Sequence, residues 1–181
     1  MAGIRAEGFG VFATTNIGPF NLLTALVTRS WIVHVGVLFS VVNSAPRKPQ
    51  PVVYYEAQFC GFVGPRPFAR LYRWAAARPY RRLHIRWLNL PAGSAEQKRL
   101  IAEQMVADKI GYDKVQCVRN WLNERLRLAV PRDPSRVHCS EAVTLLCRPE
   151  YELTDERRPN ADSVTPASAW RKLNLLIKQR A

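Results

Sequence analysis

The sequence predicts an α+β fold, with an antiparallel sheet built from strands in the middle of the chain and helices that mostly follow them. Three observations point there. Runs rich in β-branched and aromatic residues occur at Ser30–Val42, Val52–Phe59 and Leu83–Asn89, the composition of strands. From Ser94 onward, apolar residues recur at helical spacing instead. The 181 residues, 48% of them hydrophobic, suit one domain, 1–181, with a genuine core and argue against wholesale disorder.

Taken in order, Met1–Gly10 has no basic segment leading into a long apolar run, so no secretory leader is expected. The product is then expected in the cytoplasm when made, although delivery by a secretion machine or a phage particle would equally need no leader. Ile17–Val42 is the most apolar stretch, but Pro19, Asn21, Arg29 and His34 interrupt it. A membrane-crossing helix needs about twenty nearly uninterrupted apolar residues, so no transmembrane segment is expected. Ser30–Val42 reads as a strand buried on both faces. The proline-rich turn Asn43–Pro51 joins it to a second strand, Val52–Phe59, as a hairpin with a long loop. Leu83–Asn89 is the third strand.

Ser94 has capping-box spacing to Gln97 and should open a helix. Ile101, Ala102, Met105 and Val106 form its apolar stripe, and Gly111 should stop it. A further helix is expected within Tyr112–Leu128, around Trp121. The turn Asp133-Pro134-Ser135 should start a helix running through Cys139 to Cys147. The polar stretch 151–181 reads as an appendage with a helix near Ala167–Lys178.

Arginine dominates a formal net charge of +13, and the pI is about 10.3. Such a field draws anionic partners: nucleic acid, an acidic cell-wall polymer or an anionic membrane surface. The four cysteines, Cys60, Cys117, Cys139 and Cys147, form no CxxC pair, and no HExxH is present. Structural zinc and metalloprotease chemistry therefore have no support, no cofactor is implied, and reduced thiols are expected.

Two groups could carry chemistry. With the hairpin loop centred near Ala45, antiparallel pairing sets His34 directly across from Glu56, within reach of an imidazole–carboxylate hydrogen bond. Such a contact would fix the histidine tautomer and favour the imidazolium. Gly36, on the same strand face, leaves room for another group to approach. A histidine alone in an apolar strand is usually a packed core residue. A buried glutamate beside it is harder to explain without a partner. Cys139, in RVHCSEAVTLLC, falls at the start of a helix. Backbone N–H groups and the helix dipole there depress a thiol pKa and can receive an oxyanion. Cys147, deeper in that helix, reads as packing, and Cys60 and Cys117 as structural.

These pieces resemble the circularly permuted branch of the NlpC-type papain-like superfamily. The resemblance rests on S-W-I-V-H-V-G-V at Ser30–Val37, Y-E-A at Tyr55–Ala57 and H-C-S-E-A-V at His138–Val143. Gly111-Tyr112-Asp113 before the cysteine and Thr165-Pro166 after it add to this. The Gly-Asp pair usual before the first strand is not evident near Gly8–Phe12. The resemblance implies a permuted papain-like fold with Cys139 as nucleophile, His34 as base and Glu56 as the orienting third residue. The N–H groups of Cys139 and Ser140 would then form the oxyanion site, with Tyr54, Tyr112, Arg66 and Arg70 around the substrate. The implied activity is cleavage of an amide in a peptide or cell-wall peptide through a thioester. Related lecithin:retinol acyltransferase-like proteins handle lipid acyl chains, so a lipid-directed acyltransferase or esterase is the alternative within the fold. From Arg66 to Trp87, arginines alternate with aromatic residues, the composition of a single-stranded nucleic-acid surface. A basic binding module is thus the competing class. A degenerate fold kept for interaction is a third, against which all three catalytic residue types are present.

Overall fold

The computed structural model describes residues 5–15, 25, 30–42, 51–58, 60–113, 135–154 and 164–180. Strands β1 (Arg5–Thr15), β2 (Ile32–Val42), β3 (Val52–Gln58), β4 (Gly61–Pro67) and β5 (Arg82–Leu88) form one antiparallel sheet in the order β4-β3-β2-β1-β5. Four helices are present among the described residues: α1 (Phe68–Ala76), α2 (Ser94–Ala107), α3 (Cys139–Cys147) and α4 (Pro166–Arg180). Two short strands, β6 (Gly111–Tyr112) and β7 (Arg136–Val137), pair in parallel just ahead of α3. The architecture is α+β, as the sequence predicts. No helix among the described residues is long and apolar enough to cross a membrane.

Strand periodicity sorts the core. One sheet face, with Val11, Val35, Val37, Phe39 and Tyr55, packs against α2, α3 and α4. The other, with Phe12, Leu38 and Tyr54, is covered by Leu71, Phe68 and Trp74 of α1. β2 is buried on both sides because helices lie on both faces, which is why its sequence is a continuous apolar run.

Several expectations are corrected. The N-terminal segment is a strand, β1, and it occupies the sheet interior between β2 and β5. Its glycines hide the strand pattern, and one of them, Gly10, is needed where the Trp87 ring lies over the backbone: a Cβ there would be 3.0 Å from the ring. Helix α2 is capped by Gly93, in the left-handed region, and Ser94 is its first residue with no side-chain cap. Its end comes at Lys109 (φ 52), ahead of Gly111. Ile101 is 53% exposed, so the buried stripe runs through Ala95, Lys98, Ala102 and Met105. Lys98 is buried because its ammonium pairs with Glu150 at 2.6 Å and donates to the Arg148 carbonyl at 2.6 Å. Strand β7 intervenes between Ser135 and α3. Asp133, Pro134 and the helix expected around Trp121 lie outside the described residues.

The segment 151–181, read as an appendage, contributes Tyr151, Leu153, Val164, Trp170 and Leu173 to the main core. Helix α4 starts on a reciprocal cap: Ser168 N–H donates to Thr165 Oγ1 (3.2 Å) and Thr165 N–H to Ser168 Oγ (2.9 Å), with Pro166 in the first turn.

Candidate active site

The hairpin register differs by two residues from the expected one. Val37 pairs with Tyr55 and Leu38 with Tyr54, which, carried one residue further, sets Glu56 across from Gly36. His34 therefore reaches Glu56 diagonally, past a residue without a side chain, and the contact still forms: Nε2 lies 2.7 Å from Oε2. Gly36 is indispensable for a second reason. A Cβ there would sit 2.5 Å from the Phe12 ring and 2.7 Å from the Tyr55 carbonyl oxygen. The group that the glycine admits is thus the phenyl ring, whose centroid is 6.1 Å from that of the His34 ring. Just before His34, β2 has an irregularity against β1, pairing His34 with Thr14 but Ile32 with Thr15. Extra residues of this kind re-aim neighbouring side chains.

Glu56 is buried and carries three contacts. Oε2 takes the imidazole, while Oε1 accepts from Gln58 Nε2 (2.5 Å) and from Arg66 Nη1 (3.3 Å). A carboxylate held on both oxygens cannot swing away from the histidine. Arg66, expected at the substrate, thus serves first to anchor Glu56. Tyr54 is buried edge-on against Phe12; burial pushes its hydroxyl pKa up, with the Glu56 charge adding to this and Arg66 and Arg70 opposing. Arg70 is exposed on α1, and Tyr112 is half-buried in β6, paired with Val137 two residues before the cysteine.

Cys139 is the first residue of α3 and is 3% exposed. Its thiol lies close enough to the His34 ring for the two to shift each other's proton affinity; since Nε2 is engaged by Glu56, Nδ1 is the nitrogen left for it. His138, which the sequence reading passed over, is the N-cap of α3. Its Nδ1 accepts the Glu141 N–H at 3.3 Å, and its side chain also hydrogen-bonds Cys139. The signal was available, because a polar residue directly before a helix start is a capping candidate. Capping at Glu141 takes the third amide of the helix. The amides of Cys139 and Ser140, the first two, have no intrahelical acceptor. Ser140 Oγ donates to the Val164 carbonyl at 2.5 Å, tying the start of α3 to the segment that leads into α4.

These contacts set the charge state. Burial would lower the His34 pKa, but hydrogen bonds to Cys139 and Glu56 and their negative charge outweigh it and raise it to about 10. For Cys139 burial acts upward, and the hydrogen bonds of His138 and His34 together with the positive charge of His34 overcome it, bringing the thiol down to about 6. Between those values the pair is a thiolate and an imidazolium. Cys147 is the contrast: burial pushes its thiol up to about 12. Cys60 is exposed, and Cys117 lies outside the described residues.

No family model matches the chain, and a search of the curated proteins finds no match either.

Proposed function

We propose that the protein is a cysteine hydrolase of the permuted papain-like, NlpC-type class, cleaving an amide through a thioester acyl-enzyme. The observation that carries this reading is the His34 ring, bonded to a fixed carboxylate at 2.7 Å and coupled electrostatically to a thiol at a helix start. The Cys139 thiolate would attack the carbonyl carbon, with the oxyanion received by the Cys139 and Ser140 N–H groups. Collapse of the tetrahedral adduct breaks the C–N bond as imidazolium Nδ1 passes its proton to the leaving amine. Water then gives a proton back to Nδ1 and attacks the thioester, releasing the carboxylic acid and the thiolate. Glu56 holds the ring and its positive charge throughout, as a triad carboxylate does.

An ester would react by the same steps with an alcohol leaving, so a lipid-directed esterase or acyltransferase is the neighbouring reading. The test is turnover of peptide amides, cell-wall peptides and acyl esters by the wild type, Cys139→Ala and Glu56→Gln. Cys139→Ala is expected to abolish turnover, with mass spectrometry finding an acyl adduct on Cys139 in the wild type. Glu56→Gln, which keeps the shape and removes the charge, should lower kcat by at least about tenfold. Turnover that survives Cys139→Ala would end the proposal.

A further inference from the structure

Thr15 of β1 pairs with Ile32 on one side and Arg82 on the other, and Thr14 likewise with His34 and Leu83. The start of β5 and the turn that precedes it therefore lie at the same end of the sheet as His34, about two strand spacings, or roughly 10 Å, away. That end is lined by exposed aromatic and basic residues: Trp31 (59% exposed), Tyr80, Arg78 and Arg82. Helix α1 extends the surface with Tyr72 (62% exposed) and Arg73. Seven arginines occur from Arg66 to Arg86, while residues 57–95 contain no aspartate or glutamate. Arg66 is engaged by Glu56, Arg81 by the Trp74 ring and carbonyl, and Arg86 by Asn174. Arg73, Arg78 and Arg82 meet no carboxylate among the described residues; the side chains of Arg73 and Arg78 hydrogen-bond only nearby backbone carbonyls.

We propose that this rim docks the protein on an anionic phospholipid surface, with the His34–Cys139 end of the sheet facing the headgroups. Charge complementarity supplies the attraction, and interleaved tryptophan and tyrosine suit the boundary between headgroup and acyl chain. Preferring a membrane to a nucleic acid rests on the hydrolase reading. A phospholipid presents acyl carbonyls just beneath its phosphates, within reach of a nucleophile beside the rim, whereas a nucleic acid offers phosphates with no acyl carbonyl.

Binding is measured on full-length Cys139→Ala, which performs no chemistry, so loss of turnover elsewhere leaves this result readable and failure here leaves the hydrolase standing. Co-sedimentation uses vesicles of phosphatidylcholine alone and with about a third phosphatidylserine, at about physiological salt, with single-stranded RNA as a parallel ligand. Partition onto the phosphatidylserine vesicles only is expected, falling as salt rises. The combined Arg73→Gln, Arg78→Gln and Arg82→Gln variant, checked for an unchanged melting temperature, should partition about a hundredfold less. Equal partition onto both vesicle types, an undiminished triple variant, or RNA binding that persists at a salt concentration where vesicle binding has gone would overturn the proposal.

Discussion

Replacing His34 with alanine removes one of the two imidazoles that hold Cys139 as a thiolate, and its effect can be worked through. With the thiol at about 6 rather than 9.0, the ionised fraction at pH 7 is about ninety times larger. A thiolate of lower basicity is also a weaker nucleophile, by about twentyfold for a fall of this size. The two effects nearly cancel at pH 7, where the wild type should be alkylated only about fourfold faster than a thiol of ordinary pKa. At pH 6 the ionised fractions differ by about five-hundredfold, so the advantage grows to about twentyfold. The informative quantity is therefore the shape of the pH profile, and His34→Ala should move its midpoint from about 6 towards 9.0. His138, which still contacts the thiol, opposes the rise that burial drives. The assay is alkylation by a small iodoacetamide reagent across pH, with each cysteine peptide quantified by mass spectrometry and thiolate ultraviolet absorbance as an access-independent check. An unchanged midpoint for the Cys139 peptide would refute the reasoning, as would Cys147 reacting first. The same charge states give turnover a bell-shaped pH dependence. It rises through about 6 as the thiol ionises and falls through about 10 as the imidazolium loses its proton.

Two further substitutions separate positioning from packing. His138→Asn keeps a side chain that can cap α3 but loses the imidazole, so stability should hold while the Cys139 profile moves up. His138→Ala should move the profile and also cost about 1 kcal/mol in a denaturant titration; an unmoved profile in both would remove His138 from the site. Gly36→Ala forces a methyl against the Phe12 ring and the Tyr55 carbonyl and should cost about 1–3 kcal/mol. Calorimetry would register this as a melting temperature lower by about 3–10 °C, and a variant as stable as the wild type would show that the sheet yields more easily than its packing implies.

Strands β2, β3 and β5 were legible because their runs are long and apolar or alternate cleanly, and α3 because a cysteine helix follows a turn. His34 and Glu56 were legible as partners by parity alone: both lie on the face of Phe12 and Tyr54, and a register error of two residues preserves the face. An error of one would have separated them. Strand β1 was missed because Gly8 and Gly10 interrupt a segment that, from Phe9 to Thr14, is buried on both faces. Glycines there answer to Trp87 and Ser40, side chains distant in sequence. The anchoring of Glu56 by Arg66 was illegible for a related reason. It depends on β4 pairing with β3, and β4 carries two prolines and two glycines that disguise it as a loop. Capping by Gly93 in place of Ser94 is a difference of one residue that local sequence does not resolve.

The position of β1 between β2 and β5 bears on the order in which a working enzyme can appear during synthesis. Strands β1 and β2 emerge before the rest of the sheet, so the base is held early in a hairpin of neighbours. The other edge of β1 waits for a partner about eighty residues later in the chain, since Phe9 pairs with Leu88. Cys139 emerges later still, and its helix is tethered through Ser140 to Val164. A nascent chain therefore holds its histidine and carboxylate well before it holds an activated thiol. Ribosome-bound fragments ending before Val164 should hold the paired histidine and carboxylate while α3 still lacks its tether, so the reactive sulfur is the last of the three groups to be fixed in place.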